Sequence, residues 1–327
     1  MTLLLVTEPA FRRFGDRIGA VAPDARFIRM QPNGELLFGD RPLPWEEAAP
    51  DVAWVTSDLF DDGPVRPFFK LLLTAKPRWV QIAGAGVDHP VFSMILEAGS
   101  RLTTSHVTGP PIAEYVVRAV LDHFQQPSVW AAERADRRWV SHDFREVYGT
   151  TWVVVGLGAI GAAVAARAKA FGATVIGVRR TPNGTEPVDE CVRADRLDAV
   201  LPRADVVVLC APGGAETRHL MYRATFGLMR AGSVLVNVGR GSLVDEQALR
   251  DALDQGTPEV AILDVVDEEP PPPDSWLWSH PRVVLTPHSS AGGTGRYARS
   301  ADVFCDNLAR WLQGAPLDHE VTAGDAP

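Results

Sequence analysis

The run "TWVVVGLGAIGAAVAARAKAFGATVIGV", residues 151–178, constrains the fold more than any other part of the chain. A β-branched strand candidate at 151–156 leads straight into Gly156, Gly158 and Gly161. A helical stretch follows with Ile160, Val164, Ala168 and Phe171 on one face, Gly172 stops it, and a second strand candidate occupies 174–178. Strand, turn, helix and strand in so short a space make a βαβ unit, which commits the chain to parallel pairing. The glycine spacing adds a chemical reading. Gly156 permits the tight turn, Gly158 lets backbone approach a pyrophosphate and Gly161 allows close helix packing, while Ala159 and Ile160 fall in the first helical turn, where backbone N–H groups attract anions. The competing reading is a glycine-rich turn that binds nothing, and the complete βαβ context weighs against it.

The same alternation continues from end to end. Short Val- and Leu-rich runs separated by helical stretches are the pattern of a parallel sheet covered on both faces, so the class is α/β. Strand candidates at 3–8, 52–57, 78–84 and 101–105 make one small open sheet. Those at 151–156, 174–178, 205–212, 233–239, 260–266 and 282–287 form a six-strand set, enough for a full doubly wound domain. With 327 residues and 46% hydrophobic content, the chain has material for two cores. A long helix is expected over 112–126, entered after "GPP", as the crossover between the two sets. Beyond residue 290, Tyr297, Ala301, Phe304, Leu308 and Trp311 recur at helical spacing, so a terminal helix is expected to return to the first domain. The proline-rich "DEEPPPPDSW" (267–276) reads as a stiff extended turn.

Charge and composition exclude several classes. A net charge of −9 argues against bulk electrostatic binding of nucleic acid or anionic lipid, so any anion must be caught locally. No uninterrupted apolar stretch approaches a membrane span, and the opening "MTLLLVTEPAF" lacks the basic start and long apolar core of an export signal. Cys191, Cys210 and Cys305 are few, odd in number and far apart, which argues against a disulfide framework and for a reducing cytoplasm. The histidines show no metal-ligand spacing, and no metal site is expected.

Two features point to a specific chemistry. The second strand of such a βαβ unit usually ends on a carboxylate that accepts the ribose hydroxyls of NAD. Here it ends on Arg179 with Arg180 beside it. A guanidinium cannot accept those bonds, but it pairs bidentately with a 2′-phosphate, so NADP(H) is favoured over NAD(H). The alternative is two arginines solvated on a surface turn. Ligands of open α/β sheets bind beyond the carboxyl ends of the strands. Arg240, Glu269 and His288 each fall just past a strand candidate. Singly, such residues are often structural or solvated. Together they suit carbonyl reduction: Arg240 holds an anionic substrate and polarises its C=O, His288 supplies a proton, and Glu269 favours the protonated imidazole.

At this point the chain resembles the D-isomer-specific 2-hydroxyacid dehydrogenase family, and within it the glyoxylate/hydroxypyruvate reductase branch. "GLGAIG", "LCAPGGAET", "NVGRGSLVDEQAL", "ILDVVDEEP" and "VVLTPHSS" come in the family's order at about its spacing. The resemblance implies two doubly wound parallel-sheet domains: a Rossmann dinucleotide-binding domain at 104–289, and a smaller flavodoxin-like substrate domain made of 1–103 and 290–327. It assigns Arg240 to the substrate carboxylate and carbonyl, His288 to acid/base work, and Glu269 rather than Glu268 to pairing with His288. Pro212 and Thr217 would flank the cofactor, and Asp264 would contact the nicotinamide carboxamide with backbone at Val238. The glycine loop "IAGAGVDH" makes the backbone N–H groups of Ala85 and Gly86 candidate donors to substrate. Also implied are hydride transfer to small 2-oxoacids, D-2-hydroxy acid products and a homodimer. Two alternatives stay open: an NADH-linked dehydrogenase of another 2-hydroxy acid, and a non-catalytic dinucleotide-sensing protein on the same scaffold.

Overall fold

The computed structural model describes residues 1–61, 63–87 and 89–321. It contains two parallel-sheet α/β units, one of residues 1–108 and 294–327 and one of residues 109–293. The divisions fall a few residues beyond 103/104 and 289/290, and local bonding explains why. Thr104 N–H donates to His319 O, and Ser105 bonds Gly84 O through its N–H and Ala83 O through its hydroxyl, so both stay with the first unit. Ser289 and Ser290 donate their N–H groups to Asp264, which keeps them with the second.

In the first unit the strands are β1 (Leu3–Thr7), β2 (Arg26–Met30), β3 (Leu36–Phe38), β4 (Arg41–Leu43), β5 (Val52–Val55), β6 (Trp79–Ile82) and β7 (Arg101–Thr103), ordered β4-β3-β2-β1-β5-β6-β7. The five parallel strands run in the flavodoxin-like order, with β3 and β4 added antiparallel at one edge. Sequence reading missed β2, β3 and β4. The strand "RFIRM" breaks its apolar run with Arg26 and Arg29, and the next two strands are three-residue edge pieces.

The second unit holds β8 (Thr151–Val155), β9 (Thr174–Arg179), β10 (Glu190–Arg193), β11 (Val206–Leu209), β12 (Val234–Asn237), β13 (Val260–Leu263) and β14 (Val283–Leu285). All pairings are parallel, in the order β10-β9-β8-β11-β12-β13-β14. This is the Rossmann order with one further strand. The expected six strands become seven because β10, "ECVR", is a charged edge strand paired only with β9.

Alternation within single strands shows why the sequence reads as continuous valine. Val153 and Val155 enter one apolar layer, while Trp152 and Val154 enter the layer on the opposite face. In the first unit Leu5 and its neighbours Leu4 and Val6 divide in the same way. A sheet covered on both sides leaves no polar face to write into the pattern. The helix Gly109–Gln125 starts at the glycine and takes both prolines into its first turn. The helix Arg296–Leu312 covers the first sheet: Phe304 stacks on Trp54 at 4.7 Å and on Trp79 at 5.6 Å, and Trp311 stacks on Trp79.

Candidate active site

Reversal of strand order between β8 and β11 opens a crevice at their carboxyl ends, and the glycine turn occupies it. Gly156 has φ +93°, and a Cβ there would lie 2.7 Å from Ala211 N, so both conformation and space demand glycine. A Cβ at Gly161 would collide with Gly156 O, which sets the close approach of helix Ala159–Ala170 to the turn. Gly158, the N-cap, faces open space and brings no capping side chain to the first-turn N–H groups around Ala159 and Ile160. An uncapped helix start behind an open glycine is a cradle that fits a pyrophosphate.

Arg179 closes β9, and its Nη1 donates to Glu186 Oε1 at 3.0 Å. Glu186 also accepts the N–H groups of Asn183 and Gly184 at 2.7 and 2.8 Å. Those backbone bonds, with Arg179 adding to them, hold its carboxyl below the usual range. A carboxylate does therefore reach the end of β9, but its oxygens are engaged. Arg180 is exposed, with Nη1 3.5 Å from Glu216 Oε2. The Thr217 hydroxyl donates to Pro212 O at 2.8 Å, fixing the turn after β11. Val238 spends its N–H on Leu209 O and is buried.

Beyond β12, Asn237 shapes the Arg240 turn: its Nδ2 donates to Arg240 O and its Oδ1 accepts Gly239 N–H. Arg240 packs its alkyl stem near Gly213, and its Nη1 donates to Gly239 O. Gly241, with no Cβ, lies directly against the backbone of Val266 and Asp267, which draws the Arg240 turn next to the segment carrying Glu269. There Glu269 Oε2 sits 2.7 Å from His288 Nδ1, while Oε1 accepts Val266 N–H at 3.1 Å. His288 is half exposed and has φ +47°, a conformation costly for a residue with a Cβ. Asp264 is fully buried, and its carboxylate accepts Thr286 Oγ1 at 2.7 Å, Ser289 N–H at 2.9 Å and Ser290 N–H at 3.0 Å. The carboxylate expected near a nicotinamide is thus also the anchor of the histidine loop. A cavity of about 580 Å³ is lined by Asp264, Glu269, His288 and the apolar Trp278 and Leu285.

Ala85 and Gly86 lie in the first unit, exposed in the turn after β6. Among the described residues no cluster of His, Cys, Asp and Glu is placed to hold a metal ion, and all three cysteines are free. No helix among them is long and apolar enough to cross a membrane. Sequence reading missed Glu186, Thr286 and Tyr115. Glu186 sits in a polar loop that resembles any turn, and the other two act through a contact distant in sequence.

The class follows from the switch point: an open glycine cradle there marks a Rossmann-type unit of the dinucleotide-binding kind. Residues 117–290, more than half of the chain, match the family described as D-isomer specific 2-hydroxyacid dehydrogenase, NAD binding domain. The chain belongs to that family. It is 31% identical over 251 residues to a D-3-phosphoglycerate dehydrogenase of Methanocaldococcus jannaschii, a match covering 75% of this chain and 47% of the relative. Over 173 residues it is 40% identical to glyoxylate/hydroxypyruvate reductase B of Klebsiella pneumoniae, covering 52% of this chain and 53% of that one. The chain therefore spans about half the length of these curated relatives. Among solved structures it resembles an NADPH-dependent glyoxylate/hydroxypyruvate reductase of Sinorhizobium meliloti in complex with NADP and sulfate. That likeness has a TM-score of 0.73 at 26% identity and covers 99% of this chain and 98% of the other.

Proposed function

We propose that the protein is an NADPH-dependent reductase of small 2-oxoacids of the glyoxylate/hydroxypyruvate type, yielding D-2-hydroxy acids. The observation that carries this reading is the His288–Glu269 pair, with Nδ1 committed to the carboxylate at 2.7 Å. Nδ1 then keeps its proton, and Nε2 is the nitrogen left to protonate a carbonyl oxygen. Arg240, held beside the Glu269 segment, binds the substrate carboxylate and polarises the C=O. The exposed backbone N–H groups of Ala85 and Gly86 are further donors to the substrate. A reduced nicotinamide dinucleotide, when bound, supplies the hydride. Gly156, Gly158, Ala159, Ile160 and Gly161 would hold its pyrophosphate, Arg179 and Arg180 its 2′-phosphate, and Pro212, Thr217, Val238 and Asp264 the nicotinamide side.

Preference for NADPH is supported by Glu186, whose oxygens already accept Arg179 and two backbone N–H groups rather than standing ready for ribose hydroxyls. A second reading, an NAD-linked dehydrogenase of a different 2-hydroxy acid, draws support from the phosphoglycerate dehydrogenase relative. We further propose a homodimer, since Trp139, Val140, Phe144 and Tyr148 are all exposed along one stretch of the second unit. Three free thiols suit a cytoplasmic setting. Steady-state oxidation of NADPH and NADH with glyoxylate, hydroxypyruvate, pyruvate and 3-phosphohydroxypyruvate tests the function. Turnover of the small oxoacids with NADPH is expected. NADH preference would move the reading to the NAD-linked enzyme, and dinucleotide binding without turnover would move it to a sensing protein.

A further inference from the structure

His288 occupies a left-handed backbone conformation, and something must hold it there. Its own N–H donates to Asp264 O, and the next two N–H groups, of Ser289 and Ser290, donate to the Asp264 carboxylate. The buried Asp264 thus grips the histidine loop from both backbone and side chain. Its Oδ1 also accepts the hydroxyl of Thr286 at 2.7 Å, from the residue two before the histidine. Thr286 in turn lies 2.7 Å from the phenol of Tyr115, on the helix Gly109–Gln125.

Proton counting fixes the direction of this chain. A carboxylate oxygen only accepts, so the single hydroxyl proton of Thr286 goes to Asp264. Tyr115 must then donate to Thr286. Burial, with the Asp264 charge nearby, pushes the Tyr115 phenol up and keeps it a donor. The hydrogen bonds therefore run from Tyr115 to Thr286 to Asp264, whose carboxylate also accepts the amides of the two residues that follow His288. A second contact reinforces the tie at the backbone: Gly293 lies so close to Pro111 of the same helix that a Cβ would touch the proline ring.

We propose that Tyr115 and Thr286 are positioning residues for His288, acting through Asp264 to hold the imidazole where Glu269 and a substrate carbonyl meet it. This inference rests on the reductase reading, and neither residue touches the reacting atoms. Thr286→Val keeps the shape and removes the hydroxyl, Thr286→Ser keeps the hydroxyl, and Tyr115→Phe removes only the outermost donor. Small displacements of a catalytic group are costly, so kcat of Thr286→Val should fall about ten- to a hundredfold. One neutral hydrogen bond less in Tyr115→Phe should lower kcat about two- to tenfold. Substrate KM and NADPH Kd should stay near wild type, and Thr286→Ser should recover kcat.

The same variants are read by the imidazole 15N resonances of His288, assigned by their loss in His288→Gln. In the wild type they should report one tautomer with Nδ1 protonated, and in Thr286→Val they should broaden or shift. Wild-type kcat with an unaltered imidazole signal in Thr286→Val overturns the proposal. So does a Thr286→Ser enzyme as impaired as Thr286→Val, or a loss confined to NADPH binding. Should the wild type reduce no oxoacid at all, the functional reading falls, and the imidazole signal alone then decides the positioning.

Discussion

Glu269 holds His288 with one carboxylate oxygen and the backbone of Val266 with the other, so the imidazole is oriented by a group that is itself fixed. Two oxygens used in this way leave Glu269 little rotational freedom. A histidine with Nδ1 so committed has one remaining direction in which to deliver a proton. In the proposed reduction that geometry leaves Nε2 to deliver the proton, which makes the pair the most testable part of the site.

Replacing His288 with Ala should lower kcat for oxoacid reduction by about 10²–10⁴, the usual contribution of a placed general acid. Dinucleotide affinity should be little changed, because the glycine cradle lies beyond other strands. A His288→Ala enzyme with normal kcat removes the assignment.

Arg240→Ala should damage binding and turnover together, since one guanidinium is asked both to hold a carboxylate and to polarise a carbonyl. A lost charge-assisted contact of about 1.5–3 kcal/mol corresponds to a ten- to hundredfold rise in KM, with kcat falling as well. Arg240→Lys keeps the charge without the planar fork and should recover only part of this. Unaltered kinetics in Arg240→Ala would exclude it from the site.

Arg179→Ala tests cofactor choice. With Arg180 remaining, KM for NADPH should rise about tenfold or more while KM for NADH hardly moves. Parallel rates with the two dinucleotides before and after substitution decide it. Equal effects on both would mean that Arg179 serves only to anchor Glu186 and its loop.

Much of this architecture was legible because parallel strands and glycine turns are local. Gly156, Gly158 and Gly161 announce their turn through spacing alone, and the apolar runs of β8 and β11 through β13 need no context. Of the strands that escaped reading, β2 and β10 have their period broken by charged residues, and β3 and β4 are three-residue pieces too short to show one. The site divides in the same way. Arg240, Glu269 and His288 stand out because each follows a strong strand. Glu186 and Tyr115 do not, because their meaning lies in what they touch: Arg179 across a loop, and Thr286 from a helix far away in sequence.

The edge of the first sheet should be acid-sensitive. His319 bonds through its carbonyl to Thr104 N–H, Val321 N–H donates to Leu102 O, and Arg101 grips Glu320 at 2.6 and 2.7 Å, so residues 319–321 close the β7 edge. The His106 ring stacks on His319 with centroids 4.2 Å apart. Burial, then the neighbouring His319, lowers the His106 pKa below its ordinary 6.5. With the folded value below the unfolded one, the unfolded state binds more protons in between, and stability declines as pH falls below about 6.5. His123, lowered chiefly by burial, acts in the same direction elsewhere in the chain. Glu320, held down by Arg101, adds its loss only further into acid. Protection of the Val321 amide against hydrogen exchange reads the edge directly and should drop between about pH 7.5 and pH 5.5. His106→Gln should flatten that dependence, whereas equal protection at both pH values in the wild type would rule the histidine pair out as its cause.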